Sequence, residues 1–170
     1  QERYGKQKIT TIKELSVDKS FFEDDVIKTV WVAVAQQVSF VLTNKTSQSI
    51  KIIWDEAAFV DENGVTHRVM HSGVKYTDGN NSQPPIIVVR NESIEDFVIP
   101  TDRISWSSAG SIGWLQSPLF PTSARTAEEL RAKTGRYIGK TFQVLLPLQI
   151  EDVVNEYIFV FEVKNVQLSR

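Results

Sequence analysis

Apolar residues recur at every second position along most of this chain, and most of them are β-branched or aromatic. That spacing places alternate side chains on opposite faces of an extended strand, so it is a sheet signal rather than a helix signal. Val30, Val32 and Val34 share one parity, and Val38, Phe40 and Leu42 continue it. Gln36 falls on the same parity, and a buried amide needs partners, so a bulge or break is expected near Ala35-Gln36-Gln37. Ile9, Ile12, Leu15 and Val17 suggest a first strand. Gln1 to Gln7 is polar and suits a tether.

Ile50 to Val60 reads as a strand, and Val65 to His71 as its return. Asn63-Gly64 between them fits a type I′ hairpin turn, which needs two positive φ angles. Tyr76 to Pro85 is a loop, Ile86 to Val89 and Ile94 to Ile99 are short strands, and Pro100 closes the second. Phe142, Val144, Leu146 and Leu148 alternate, as do Tyr157, Phe159, Phe161 and Val163, which predicts a C-terminal hairpin turning at Glu151-Asp152. Pro147 implies an edge strand or a strand end, because proline has no amide to donate.

Between Thr101 and Lys140 the alternation becomes irregular. Thr126 followed by Glu129 forms a capping box, so Ala127 to Thr134 is expected to be a short helix with Gly135 as its C′ residue. The pattern predicts roughly eight or nine strands with frequent turns and one short helix. That is an all-β, antiparallel sandwich of immunoglobulin-like type, one domain over residues 1–170 with a long irregular insertion at 101–140. No βαβ rhythm supports a parallel nucleotide-binding sheet.

Composition excludes several chemistries. The 170 residues contain no Cys, which removes thiol nucleophiles, thiolate zinc sites and iron–sulfur clusters. A net charge of -2 provides no field for nucleic acid. No Gly-x-Ser-x-Gly elbow or Walker loop is present, and no cofactor is implied. His67 and His71 have metal-like spacing on a helix, but on a strand their Cα atoms stand about 13 Å apart, so they are expected to bond backbone or carboxylates. No metal site is assigned. The pairs Asp24-Asp25, Asp55-Glu56, Glu95-Asp96 and Glu151-Asp152 read as turn and surface residues. Asp78 to Ser82 reads as Asx-turn chemistry rather than a calcium loop. The sequons at Asn44, Asn80 and Asn91 are read the same way.

The insertion holds the candidate binding residues. Trp106, Trp114 and Phe120 are aromatics in a loop context, suited to stacking on a sugar or anchoring a protein. Arg125 and Arg131 belong to a segment, Ala124 to Lys140, with five basic and two acidic residues, or +3. A long excursion inside a sandwich is uncommon and often functional. An alternative is a glycan-acting hydrolase using carboxylates near the insertion, such as Asp96 and Asp102, which would need two carboxyls converging beside a tryptophan.

The run Phe40-Val41-Leu42-Thr43-Asn44, then Ile52 to Asp61 with Asn63-Gly64, then Ile99-Pro100-Thr101-Asp102 resembles the small immunoglobulin-like domains of exported bacterial proteins. Many of those are lipoproteins of Bacteroides-type envelopes. The resemblance covers residues 26–100 and 141–166 and leaves out the insertion. It implies an extracytoplasmic location, in the periplasm or on the outer-membrane surface. It also implies a protein or glycan partner in the envelope, and membrane attachment only through a lipid anchor preceding residue 1. It transfers no catalytic residues.

Overall fold

Alternating burial shapes strands Ile27–Ala33 and Val38–Asn44 of the computed structural model, which describes residues 3–12, 19–108, 110 and 113–163. Its strands are β1 (Arg3–Ile12), β2 (Lys19–Glu23), β3 (Ile27–Ala33), β4 (Val38–Asn44), β5 (Ile50–Ile52), β6 (Ala58–Val60), β7 (Thr66–Met70), β8 (Ile86–Val88), β9 (Ser93–Pro100), β10 (Ile104–Ser107), β11 (Gly113–Gln116), β12 (Thr141–Ile150) and β13 (Val153–Val163), with one helix, α1 (Ala127–Gly135). Leu15 and Val17 lie outside the described residues. Arg3 to Gln7, expected as a tether, instead pair with β13 as part of β1, the one parallel pairing among the described residues.

The strands form two layers. One runs β1-β13-β12, with β5–β8 and β6–β7 attached to β12; the other runs β9-β4-β3-β2. Two residue pairs, Val69 with Pro100 and Met70 with Ile99, join the layers at one edge. The inner faces meet through aromatic rings. Trp31 lies 4.8 Å from both Phe40 and Phe159 and 5.4 Å from Phe161, and Phe22 lies 5.8 Å from Phe159. These tilted and edge-on geometries suit the ring quadrupoles. The Trp31 Nε1–H donates to Thr29 Oγ1 at 3.0 Å, so even the indole amine is satisfied. The result is an all-β sandwich.

The expected break at 35–37 is a tight turn between β3 and β4, where Val34 N donates to Gln37 O. The parity changes there. β4 buries Val38, Phe40 and Leu42, as expected, and Asn44 with them, but β3 buries Ile27, Thr29, Trp31 and Ala33. Val30 and Val32 therefore lie on the outer face, against the expectation from alternation. The bulkiest side chain decided which way the strand faces.

Pro147 lies in a central strand rather than at an edge. Its carbonyl accepts from Ile53 N, so its ring nitrogen faces the same neighbour. There the neighbouring chain leaves the ladder between β5 and β6 for a 3-10 turn at Trp54–Glu56. Proline is tolerated because no ladder acceptor awaits its missing N–H.

The β6–β7 hairpin forms where expected, although a 3-10 turn at Trp54–Glu56 splits the expected strand Ile50 to Val60 into β5 and β6, and Gly64 alone among the turn residues has positive φ, at 80°. Asp61 holds the turn by accepting from Asn63 N and Val65 N, both at 2.9 Å. This is a four-residue turn ending on an αL glycine, wider than type I′. Helix α1 begins as expected, with Glu129 N donating to Thr126 Oγ1, while the Glu129 carboxylate accepts from Arg125 N. Gly135 remains helical, Arg136 caps in αR, and the positive φ of 84° falls at Gly139.

Two further residues pin the layers. Asp24 Oδ1 accepts from Val26 N and Ile27 N, and its Oδ2 accepts from the Tyr157 hydroxyl at 2.7 Å. Burial, aided by the nearby Asp24 carboxylate, pushes the Tyr157 phenol well above its usual range. Asn44 is fully buried; its amide donates to Gln48 O and Val88 O and its oxygen accepts from Thr46. That sequon is a structural bracket, with its nitrogen committed in the folded state.

Candidate functional site

The 101–140 segment is more ordered than its sequence pattern suggests. After a 3-10 turn at Thr101–Arg103, β10 and β11 form a separate two-stranded hairpin in which Trp106 sits directly opposite Trp114. The rings meet edge to face, 5.6 Å apart at 74°. Trp106 is 57% exposed and Trp114 39%, while Leu115, on the other face of the hairpin, is 46% exposed. A projecting ribbon with large apolar side chains on both faces, outside any core, is unusual on a solvated surface.

The hairpin base is anchored. Gln116 Nε2 donates to Gln36 O at 2.6 Å, and the Tyr76 hydroxyl donates to Gln116 Oε1 at 3.3 Å. Ser117 N donates to Arg103 O, and Leu119 N to Ala35 O. Leu119 and Phe120 then plug into the core. Phe120, a candidate from the sequence, is only 5% exposed and packs on Tyr137 and Phe142. It offers no surface to a ligand and instead fastens the insertion to the sandwich. Of the sequence candidates, Trp106 and Trp114 come together. Arg125, just before the N-cap of α1, and Arg131, within the helix, are both exposed and lie outside the hairpin.

The basic residues that do converge are others. Lys133, Arg136 and Lys140 line an open groove of about 350 Å³ with Glu62, Pro121 and Tyr137. Lys133 also pairs with Glu129 at 3.4 Å. Burial raises the Tyr137 phenol pKa, Glu62 raises it further, and Arg103 partly offsets both. The sequence shows the cationic excess of this segment; which members meet depends on how the chain turns after α1.

Both histidines bond carboxylates, as expected, but in different surroundings. His67 lies between Asp61, at 2.7 Å from Nε2, and Asp102, at 3.6 Å from Nδ1. Burial pushes the Asp61 pKa upward, but the hydrogen bonds from His67, Val65 N and Asn63 N outweigh it and hold the carboxyl below its usual range. Through Asp102, His67 ties the β6–β7 turn to the root of the Trp hairpin. His71 is buried, stacked on Trp54 at 4.1 Å with rings within 2° of parallel. Its Nδ1 lies 3.2 Å from Asp96 Oδ2, and Asp96 Oδ1 accepts from Ser72 N and Phe97 N.

Asp55 accepts from Ser82 Oγ and Gln83 N, both at 2.6 Å. The Gln83 amide lowers its pKa most, followed by Ser82, while Arg68 adds a smaller pull at 3.6 Å. Glu151 turns the final hairpin at a φ of 53°. These acidic residues act as turn anchors; buried Asp96 is the exception that their paired spelling does not reveal.

No helix among the described residues is long and apolar enough to cross a membrane. Against this geometry, no family model, no curated protein and no solved structure matches the chain.

Proposed function

We propose that this chain is a non-enzymatic protein of the cell envelope or its exterior that grips a partner protein with the β10–β11 hairpin. The carrying observation is the exposed Trp106–Trp114 pair held on an anchored ribbon beyond the sandwich. Covering the exposed parts of both rings, on the order of 200 Å², contributes about 5 kcal/mol at ~25 cal/mol per Å² before the costs of association. That is enough for a hot spot and too little for a tight complex alone, so Leu115 and the groove cations belong to the same reading. The edge-to-face rings favour a protein over a glycan, since sugars stack on flat, accessible ring faces. The envelope location rests on the resemblance to exported bacterial domains. The immunoglobulin-like assignment draws support from β1 running parallel to the C-terminal strand inside an otherwise antiparallel sandwich.

The hydrolase alternative has weaker support. Asp96 is buried with both oxygens occupied, and Asp102 is engaged with His67 and Arg103.

Quenching by a neutral quencher tests the reading, with cross-linking to envelope proteins and a panel of envelope polysaccharides as ligand arms. A partner protein should shield Trp106 and Trp114, and Trp106→Ala with Trp114→Ala should weaken its binding at least ~30-fold, the effect of losing about 2 kcal/mol at a hot spot. Equal binding by the double variant, or shielding by polysaccharide alone, overturns it.

A further inference from the structure

Strand β3 carries apolar side chains on both faces, with Lys28 at one end of the outer one. Its inner face fills the core, and its outer face carries Val30 and Val32. In a two-layer sandwich the outer face of a sheet meets water and normally reads polar. The cross-strand register shows how the apolar surface continues. Phe21, Val30, Val41 and Glu95 form one row across β2, β3, β4 and β9, and Lys19, Val32, Ser39 and Phe97 form the next. Phe21 is 65% exposed and Val41 37%. A shallow hollow of about 220 Å³ sits over the two rows, bordered by Lys19 at one side and Glu95 at the other.

We infer that this outer face is a self-association surface for a second copy of the chain. The charges choose the occupant. Lys19 lies on β2, at one edge of the layer, and Glu95 on β9, at the other, and neither has an ion-pair partner among the described residues. A two-fold axis parallel to the strands, passing between β3 and β4, lays β2 of one copy over β9 of its partner. The valines then meet at the centre. Each Lys19 faces the row holding Phe97 of the partner subunit, and Glu95 of the partner subunit is one row away, about 7 Å along the strand. A lysine stem spans that step. The same patch thus offers opposite charges to its own copy across the two-fold axis.

Size sets the strength. Four strands about 4.8 Å apart and five to eight residues long at ~3.4 Å each give a face of roughly 450 Å² in projection, the polar row of Glu23, Lys28, Thr43 and Ser93 included. A stable interface buries about 800 Å² per partner, so this dimer is weak, with Kd on the order of 10–100 µM, and it populates where the chain is concentrated.

Sedimentation velocity between about 1 and 300 µM reads the mass directly. The expected result is a concentration-dependent rise from one chain toward two. Val41→Lys should hold the protein monomeric, and Phe21→Ser should do the same through a more exposed position. Lys19→Glu should weaken the dimer at least ~5-fold, and adding Glu95→Lys to it should restore the affinity. A wild-type chain that stays monomeric throughout, a face that associates only with added lipid vesicles, an unaffected Val41→Lys and Phe21→Ser, or a charge swap that fails to rescue would each overturn the inference.

Discussion

Trp31 and Trp54 lie between the two sheets at 1% exposure each; Trp106 and Trp114 stand on the β10–β11 hairpin at 57% and 39%. The same residue type serves two ends in one chain. In the layer, Trp31 touches three aromatic rings and satisfies its amine on Thr29. On the hairpin, each indole has the other ring as its aromatic neighbour and solvent over much of the rest. The layer holds the fold together, whereas the hairpin indoles lie outside the buried core. Substitutions should therefore separate stability from recognition between these regions.

The largest expected effect is on the layer side. Trp31→Ala empties a site between Phe40, Phe159 and Phe161 and should cost about 3–5 kcal/mol, read as a lower urea midpoint. A cost near zero would mean that the two sheets are not packed through this ring.

Next comes the bond between the layers. Tyr157→Phe removes the hydroxyl that donates to the Asp24 carboxylate and should cost about 1.5–3 kcal/mol, the usual range for a hydrogen bond to a charged group. The Tyr157 phenol is raised in the fold, so its contribution is fully present below the unfolded tyrosine pKa of ~10 and fades as pH climbs through the folded value. Wild-type protein should lose stability in alkali above about pH 10, and Tyr157→Phe should lose less over the same interval. Parallel alkaline profiles would detach this tyrosine from the effect.

At the root of the insertion, Asp61 makes the opposite pH statement. Its carboxyl is lowered in the fold, so the stability it lends is present above the unfolded carboxylate pKa near ~4 and is lost as pH falls through the folded value. Asp61→Asn should cost about 1–2 kcal/mol at neutral pH and flatten the acid limb of the stability profile. Because His67 also reaches Asp102, hydrogen exchange should quicken at the base of β10 as well as in the β6–β7 turn. Quickening confined to the turn would break the link between the two.

The sequence made the layer legible and the insertion only partly so, for different physical reasons. Alternation in β4, β12 and β13 is a local property, and it fixes which side chains face inward once any one of them is placed. It fails in β3 because both parities are apolar there, and the choice falls to Trp31, whose ring needs more space than the outer face can enclose. Pro147 misleads because a missing donor matters only where an acceptor waits, and the neighbouring chain is out of register at that point. The meeting of Trp106 with Trp114 follows from a register set across a turn whose spacing is not repetitive. Phe120 carries a usable signal, since Leu119-Phe120 sits between Pro118 and Pro121 as a short greasy plug. The partners of His71 and the convergence of Lys133, Arg136 and Lys140 depend on distant chain segments, where no spacing rule applies.

The smallest stability effect belongs to the hairpin, and it sharpens the contrast most. Cross-strand aromatic pairs contribute roughly 0.2–1 kcal/mol to their own ribbon, and among the described residues the β10–β11 ribbon forms no ladder with either layer. Trp106→Ala with Trp114→Ala should therefore shift the global urea midpoint by the equivalent of ~0.5 kcal/mol or less, as for other surface substitutions. Fluorescence should respond in the opposite proportion. Of the four tryptophans, two are sealed at 1% exposure, so the part of the emission open to a neutral quencher comes from Trp106 and Trp114. The double variant should keep the blue-shifted, poorly quenched emission of Trp31 and Trp54 and lose the quenchable fraction almost entirely. If its midpoint fell by several kcal/mol instead, the hairpin would be part of what the sandwich needs to fold, and exposure would no longer mark it as a surface kept for a partner.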